Sequence, residues 1–328
     1  LVNAATVGLA KVIATEYPEL KCVRLEVSGA TNAEVVLAEI AAEPGEDHVR
    51  LEAAQRSVLR LQEVDSARVA EDIAFKLKGD ATYLISGGLG GLGILFAKWL
   101  VYQGARHLVL TGRSGVTSNE QQEELNLLQQ HGAQIEIARI DVTDAVAVAG
   151  LVARIDASAN PLAGVIHAAG VLDDGVIAQQ NWSRFAKVFS PKLAGAWNLH
   201  TSTLQSKLDF FVLFSSVASI LGLPGQSNYA AANTFLDALA DYRAAQGLPV
   251  LTVNWGPWAQ VGMAASENVR NRMARNSGVS SLTPAQGISL FGQIMGSNLQ
   301  RVAVVAINWG QIAGMVAMVG ITPPLLLD

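Results

Sequence analysis

From residue 81 onward, short apolar runs recur at regular intervals: ATYLIS, HLVLTG, QIEIAR, LAGVIH, DFFVLFSS, PVLTVN and RVAVVAI. Helical stretches separate them. Strands that alternate with helices predict a parallel, doubly wound α/β sheet, covered on both faces. Residues 1–62 show a shorter version of the pattern. LVNAATVGLAKVIATEY and TNAEVVLAEIAAE read as helices, and KCVRLEV, HVRLE and RSVLRLQEV as short strands. No glycine-rich turn follows a strand there, so this part reads as a structural subdomain. Residues 63–80 are polar and carry no clear strand. The expected division is therefore a structural subdomain with linker over 1–80 and a catalytic subdomain over 81–328.

One segment imitates a membrane span. Residues 302–320 are largely apolar, but they include Asn308, Gln311 and three glycines. A short buried strand followed by packed helix or loop is the better reading.

Composition narrows the picture. The chain has 328 residues, 50% of them hydrophobic and 16% charged, with a net charge of −5. No long run of one sign marks a nucleic-acid footprint or a basic membrane patch. Cys22 is the one cysteine, so no internal disulfide forms, which fits a reducing cytoplasm. The chain starts at Leu1 without a basic-then-apolar leader and reads as a piece of a longer polypeptide.

The clearest chemistry follows the first strand of the regular part. In YLISGGLGGLG, Gly88, Gly90 and Gly93 fit G-x-G-x-x-G, and Gly87, Gly91 and Gly93 fit T-G-x-x-x-G-x-G with Ser86 in the threonine place. Glycines there let the backbone turn tightly and approach a pyrophosphate at a helix N-terminus. The motif sits in the strand–turn–helix context it requires. Ser86, Gly87, Gly88, Leu89, Gly90 and Gly93 are thus expected to form a dinucleotide cradle.

The second strand ends in TGRSG. An NAD enzyme places an acid near this point to accept from the ribose 2′-hydroxyl. Here Arg113 and Ser114 occupy it. A guanidinium suits a 2′-phosphate, which favours NADPH. Asp141 and Val142, after the third strand, are placed to touch the adenine, although a capping role beside Asp144 is nearly as good a reading. HAAG, after the fourth strand, puts the small Ala168 where a cofactor would cross the sheet edge.

The reacting groups lie further on. A buried strand ends at Ser215-Ser216, and Tyr229 follows 13 residues after Ser216. A strand-end serine in an open α/β sheet faces the usual ligand crevice. Its hydroxyl would polarise a carbonyl, and Tyr229 would protonate the alkoxide as hydride arrives. No G-x-S-x-G elbow is present, which disfavours covalent catalysis. Tyr229 needs a cation, yet position 233, four residues on, is Asn.

The glycine turn, the strand-end serine and the tyrosine resemble the short-chain dehydrogenase/reductase superfamily, most of whose members carry Tyr-x-x-x-Lys. With Tyr-x-x-x-Asn, HAAGVLDD, SPKLAGAWNLH and GQSNYAAANTFLDALA, the chain resembles the ketoreductase domain of type I modular polyketide synthases. In that family lysine and asparagine have exchanged places. The resemblance implies a Rossmann-type catalytic subdomain after a smaller, truncated Rossmann-like one. It places the lysine upstream, ahead of the serine strand, where Lys187, Lys192 and Lys207 are candidates, and selects Lys192 as the cation that lowers the Tyr229 pKa and holds the nicotinamide ribose. It gives Asn233 the space of the usual lysine, to hold the helix or a relay water. VNWGPWAQVGMA resembles the loop that covers the nicotinamide and leads into a lid.

The same resemblance suggests stereochemistry. Leu172, Asp173 and Asp174 match the Leu-Asp-Asp of B-type members, which give a D-configured 3-hydroxyl. The A-type tryptophan eight residues before the tyrosine is Leu221 here, and Ala231 replaces the proline linked to epimerised substrates, so a B1 type is expected. Gln226 and Met263 complete the expected substrate groove. The implied reaction is NADPH-dependent reduction of a β-ketoacyl thioester on an acyl carrier protein, within a multidomain synthase and without a metal. The alternatives are a catalytically silent NADPH-binding domain and the ketoreductase of a type I fatty acid synthase.

Overall fold

The computed structural model describes the chain except for residues 2, 43–44, 54, 65–75, 263–278, 312–324 and 326–328. All seven expected strands form one sheet. They are β4 (Thr82–Ser86), β5 (His107–Thr111), β6 (Gln134–Ala138), β7 (Leu162–His167), β8 (Phe210–Ser216), β9 (Leu251–Trp255) and β11 (Arg301–Val304). Their order is β11-β9-β8-β7-β4-β5-β6, and every pairing is parallel. The order reverses between β4 and β7. Ligands bind beyond the strand C-termini at such a switch point.

Two apolar layers cover the sheet. On one face, helices α3 (Gly91–Tyr102), α4 (Asn119–Gln130) and α10 (Pro284–Met295) contribute Phe96, Trp99, Leu125 and Phe291. The ring centres of Phe96 and Phe214 are 4.6 Å apart, and those of Phe96 and Phe291 4.7 Å, both edge to face. On the other face, α5 (Ala145–Asp156), α7 (Gly195–Ser202) and α9 (Ser227–Ala245) pack Val148, Leu199 and Leu236 against Leu84, Val165 and Leu213. Burial on both faces explains why most strands read as continuous apolar runs.

The N-terminal part has helices α1 (Ala4–Glu16) and α2 (Ala33–Ala41) and strands β1 (Arg24–Val27), β2 (His48–Glu52) and β3 (Gln55–Val58). β1 and β2 pair in parallel, β2 and β3 antiparallel. The strand expected over 56–64 stops at Val58, and beyond it Leu61 N donates to Leu325 O at 3.0 Å. α1 leaves this small sheet and packs on α9, where Val12 joins Ala218 and Ala230 in a buried cluster. Residues 301–304 form β11, and β12 (Ala306–Ile307) pairs with β10 (Val279–Ser280). Among the described residues no helix is long and apolar enough to cross a membrane.

Candidate active site

The turn between β4 and α3 has the geometry of a cradle. Gly87 has φ +68°, and a Cβ there would come within 2.8 Å of the Ala169 backbone. A Cβ at Gly93 would overlap the Gly87 carbonyl, so the helix approaches the turn more closely than a side chain permits. Gly90 caps α3 without a side-chain hydrogen bond, which leaves the first amides of the helix available to an anion. The Leu89 carbonyl accepts from Gln121 Nε2 at 2.9 Å. Ser86 is fully buried, and its Oγ lies 2.6 Å from His167 Nδ1. Its hydroxyl therefore braces the ends of β4 and β7 rather than facing a ligand. Ala168 N donates to Ser86 O at 3.0 Å, closing the same junction. Burial and the nearby Lys192 charge push the His167 pKa down to about 3, so this imidazole stays neutral.

Arg113 and Ser114 are exposed beyond β5. Asp141 Oδ1 accepts from Thr143 N at 2.9 Å and Thr143 Oγ1 at 2.8 Å. Those bonds, with help from the Arg113 charge, hold its carboxyl below the usual range. Asp144 caps α5. Val142 is buried, and its carbonyl accepts from Asn198 Nδ2 at 3.0 Å. Arg139 was not singled out from the sequence. Its guanidinium donates to Ser114 O at 3.0 Å and so stands beside Arg113 at the crevice edge. These features fit a dinucleotide: a glycine cradle, an uncapped helix terminus and two guanidinium groups just beyond the ends of β5 and β6.

The residues expected to react lie near the end of β8 and the start of α9. Of the three candidate lysines, Lys187 binds Asp173 and Lys207 is exposed. Lys192 is buried in a π-helical turn, Ser190–Ala194, donates to Phe214 O at 2.9 Å, and lies 5.4 Å from the centre of the Tyr229 ring. Single π turns inside helices are frequent at functional sites. Burial lowers the Lys192 pKa to about 7, and the Asp237 charge partly opposes the drop.

The sequence argument expects Tyr229 to have a lowered pKa. The structure reverses that: burial raises it to about 12, against the pull of Asn233 and Ser216 and with a small push from Asp174. Asn233 Nδ2 donates to Tyr229 O at 2.8 Å, so the amide holds the helix, while its Oδ1 is buried without a partner. Ser216 Oγ accepts from Ala218 N at 3.2 Å in the turn that starts the short helix α8 (Ala218–Leu221).

The loop of residues 172–174 is tied down. Asp173 Oδ1 accepts from Arg184 Nε at 2.7 Å, and Oδ2 from Lys187 Nζ at 3.0 Å. These cations hold the Asp173 carboxyl below the usual range. Gln226 Nε2 donates to Asp174 Oδ2 at 3.0 Å, and Asn228 Nδ2 to Asp173 O at 2.8 Å. Leu172 and Leu221 are half-buried. Met263 and the lid lie outside the described residues.

A family model described as "KR domain" matches residues 81–260. The chain belongs to the KR-domain family, the ketoreductase domains of polyketide synthases. This KR domain is 38% identical over 274 residues to polyketide synthase GfsB of Streptomyces halstedii, covering 84% of the chain and 5% of that protein. It is 43% identical over 223 residues to the type I polyketide synthase Pks15/1 of phenolphthiocerol synthesis from Mycobacterium marinum, covering 67% of the chain and 11% of that protein. The KR domain thus spans a small fraction of the curated relatives it matches. A solved structure of A-type ketoreductases from a modular polyketide synthase superposes with a TM-score of 0.89 at 32% identity, over 100% of this chain and 68% of that one. Membership implies β-ketoacyl reduction with a nicotinamide cofactor.

The sequence did not single out a buried polar cluster beside the expected reacting residues. Asp237, one helical turn beyond Asn233, accepts from Ser219 Oγ at 2.7 Å and from Asn254 Nδ2 at 2.9 Å. Asn254 also donates to Ser215 Oγ at 3.0 Å, so a buried polar knot sits behind Ser216. The i, i+4, i+8 spacing of 229, 233 and 237 was a usable signal. Arg184 had none, because its partner is an acid 11 residues away on a loop.

Proposed function

We propose that this KR domain reduces a β-ketoacyl thioester, carried by an acyl carrier protein, to the D-configured β-hydroxyacyl thioester with NADPH, in the cytoplasm and within a multidomain synthase. The observation that carries this reading is buried Lys192 beside the Tyr229 ring, with Asn233 in the Tyr-x-x-x-Asn position and Ser216 at the adjoining strand end. A bound nicotinamide would supply hydride to the ketone carbon. Tyr229 holds its proton throughout the neutral range, since burial places its pKa at about 12. A newly formed alkoxide is a far stronger base than a phenolate, so proton transfer from Tyr229 runs downhill. Ser216 donates to the same oxygen while the bond to carbon changes. Lys192 supplies positive charge as the phenolate forms. Asn233 fixes the first turns of α9, and its unpartnered Oδ1 suits a water that returns the proton.

NADPH rather than NADH is favoured by Arg113 and Arg139 and by the lack of an acid in the ribose position. The D configuration rests on Leu172, Asp173 and Asp174 with Leu221 in place of tryptophan. The likeness to an A-type structure reflects a shared fold and leaves configuration to be measured. NADPH oxidation with trans-1-decalone and with a β-ketoacyl thioester tests the activity, and chiral chromatography of the product tests the configuration. A chain that binds NADPH but reduces neither ketone is the silent alternative. An L-configured product, or unchanged configuration from Leu172→Ala and Asp173→Ala, removes the steering role of that loop.

A further inference from the structure

The helix α1, assigned above to the structural part, ends against the loops that carry Ile177 and Gly225. Its last residue, Glu16, is half-buried. A carboxylate in a helix's final turn opposes the helix dipole, so it is an unfavourable place for an acid unless other donors compensate. Two do. Gly225 N donates to Glu16 Oε1 at 2.7 Å, and Ile177 N donates to Glu16 Oε2 at 2.8 Å.

These amides belong to the two loops that border the proposed groove. One loop carries Leu172, Asp173 and Asp174. The other leads into Gln226 and Tyr229. Gly175 N donates to Gly225 O at 2.8 Å, directly beside the carboxylate. Each oxygen of Glu16 thus takes one loop, and the loops also bind each other. α1 itself is fixed from below. A Cβ at Gly8 would come within 2.5 Å of both Ala230 O and Thr234 Oγ1 on α9, and Lys11 Nζ donates to Ser219 O at 2.7 Å.

We propose that Glu16 is a positioning residue for ketone reduction: its carboxylate clamps the 173–177 loop to the 222–226 turn and so sets the width and registry of the substrate groove. The inference rests on the ketoreductase reading and adds a determinant of substrate orientation contributed by the N-terminal part. Removal of the clamp leaves Ser216, Tyr229 and Lys192 in place but lets the loops separate.

The test uses the whole chain with Glu16→Ala and Glu16→Gln. Glutamine keeps the shape but offers one acceptor, so it retains one of the two bonds. Amide hydrogen exchange reads the clamp without reference to activity, and Gly225 and Ile177 should exchange faster in both variants. With an acyl-carrier-bound β-keto substrate, kcat should stay near wild type. KM should rise about tenfold in the alanine variant, the effect of losing charge-assisted hydrogen bonds, with the glutamine variant between. The minor-configuration product should increase in parallel, while the NADPH KM stays constant. Unchanged KM and product ratio, or a drop in Tm alone, would make Glu16 a purely structural residue and overturn the proposal. If the alanine variant does not fold, the glutamine variant decides by the same criteria. A wild-type chain that reduces no β-keto thioester sinks the ketoreductase reading, and this inference with it, whatever the exchange rates show.

Discussion

Lys192 Nζ lies 5.4 Å from the centre of the Tyr229 ring and is anchored to the Phe214 carbonyl at 2.9 Å. The cation thus reaches the tyrosine from the π turn before α7, not from the tyrosine's own helix. Position 233 is left free for an amide that ties back to Tyr229 O.

This arrangement places a cation where burial opposes it. The Lys192 pKa falls from the usual 10.5 to about 7, so the folded state binds fewer protons than the unfolded state between those values. The buried charge is most destabilising below pH 7, and stability recovers as pH rises toward 10.5. Lys192→Met should therefore raise Tm at pH 6, with the gain shrinking toward pH 10. The same variant should weaken NADPH binding and turnover, each by about tenfold or more. Thermal melts across pH, paired with steady-state kinetics, check both halves.

Arg113 and Arg139 share the crevice edge. Arg113→Ala should raise the NADPH KM by about 10- to 100-fold, the loss of a charge-assisted contact, and leave the NADH KM nearly unchanged. Arg139→Ala should shift the same ratio less. Comparing both cofactors on each variant isolates the 2′-phosphate.

A methyl group at Gly93 would run into the Gly87 carbonyl. Gly93→Ala should cost about 1–3 kcal/mol of stability, as overpacking does, and abolish measurable cofactor affinity. Denaturant unfolding and fluorescence titration with NADPH would show the two effects together.

Asp237 gathers Ser219 and Asn254 behind the strand end that carries Ser216. Asp237→Ala strands those donors and should lower stability by about 1–3 kcal/mol. Asp237→Asn should lose less, because it keeps an acceptor. Urea unfolding midpoints of the two variants give the comparison.

The sheet was legible because its strands are buried on both faces and punctuated by helices, from ATYLIS to RVAVVAI. Gly87, Gly93, Ser216 and Tyr229 were legible because their spacing follows from local geometry. Residue types alone left three lysines in competition; the family resemblance singled out Lys192, and the fold brings that lysine to within 5.4 Å of the Tyr229 ring centre. The direction of the Tyr229 shift was missed because burial is a tertiary property. The docking of α1 on α9 was also hidden: an amphipathic helix shows that it packs, not against what. Glu16 follows from that docking, as its partners lie 161 and 209 residues away.

Tyr229→Phe tests the central claim most directly, with NADPH oxidation measured against a β-ketoacyl thioester beside NADPH affinity and Tm. Loss of a general acid predicts a fall in kcat of about 100- to 10,000-fold, with cofactor binding and Tm close to wild type. Turnover within a few fold of wild type in the phenylalanine variant would contradict the assignment of Tyr229 as the proton donor.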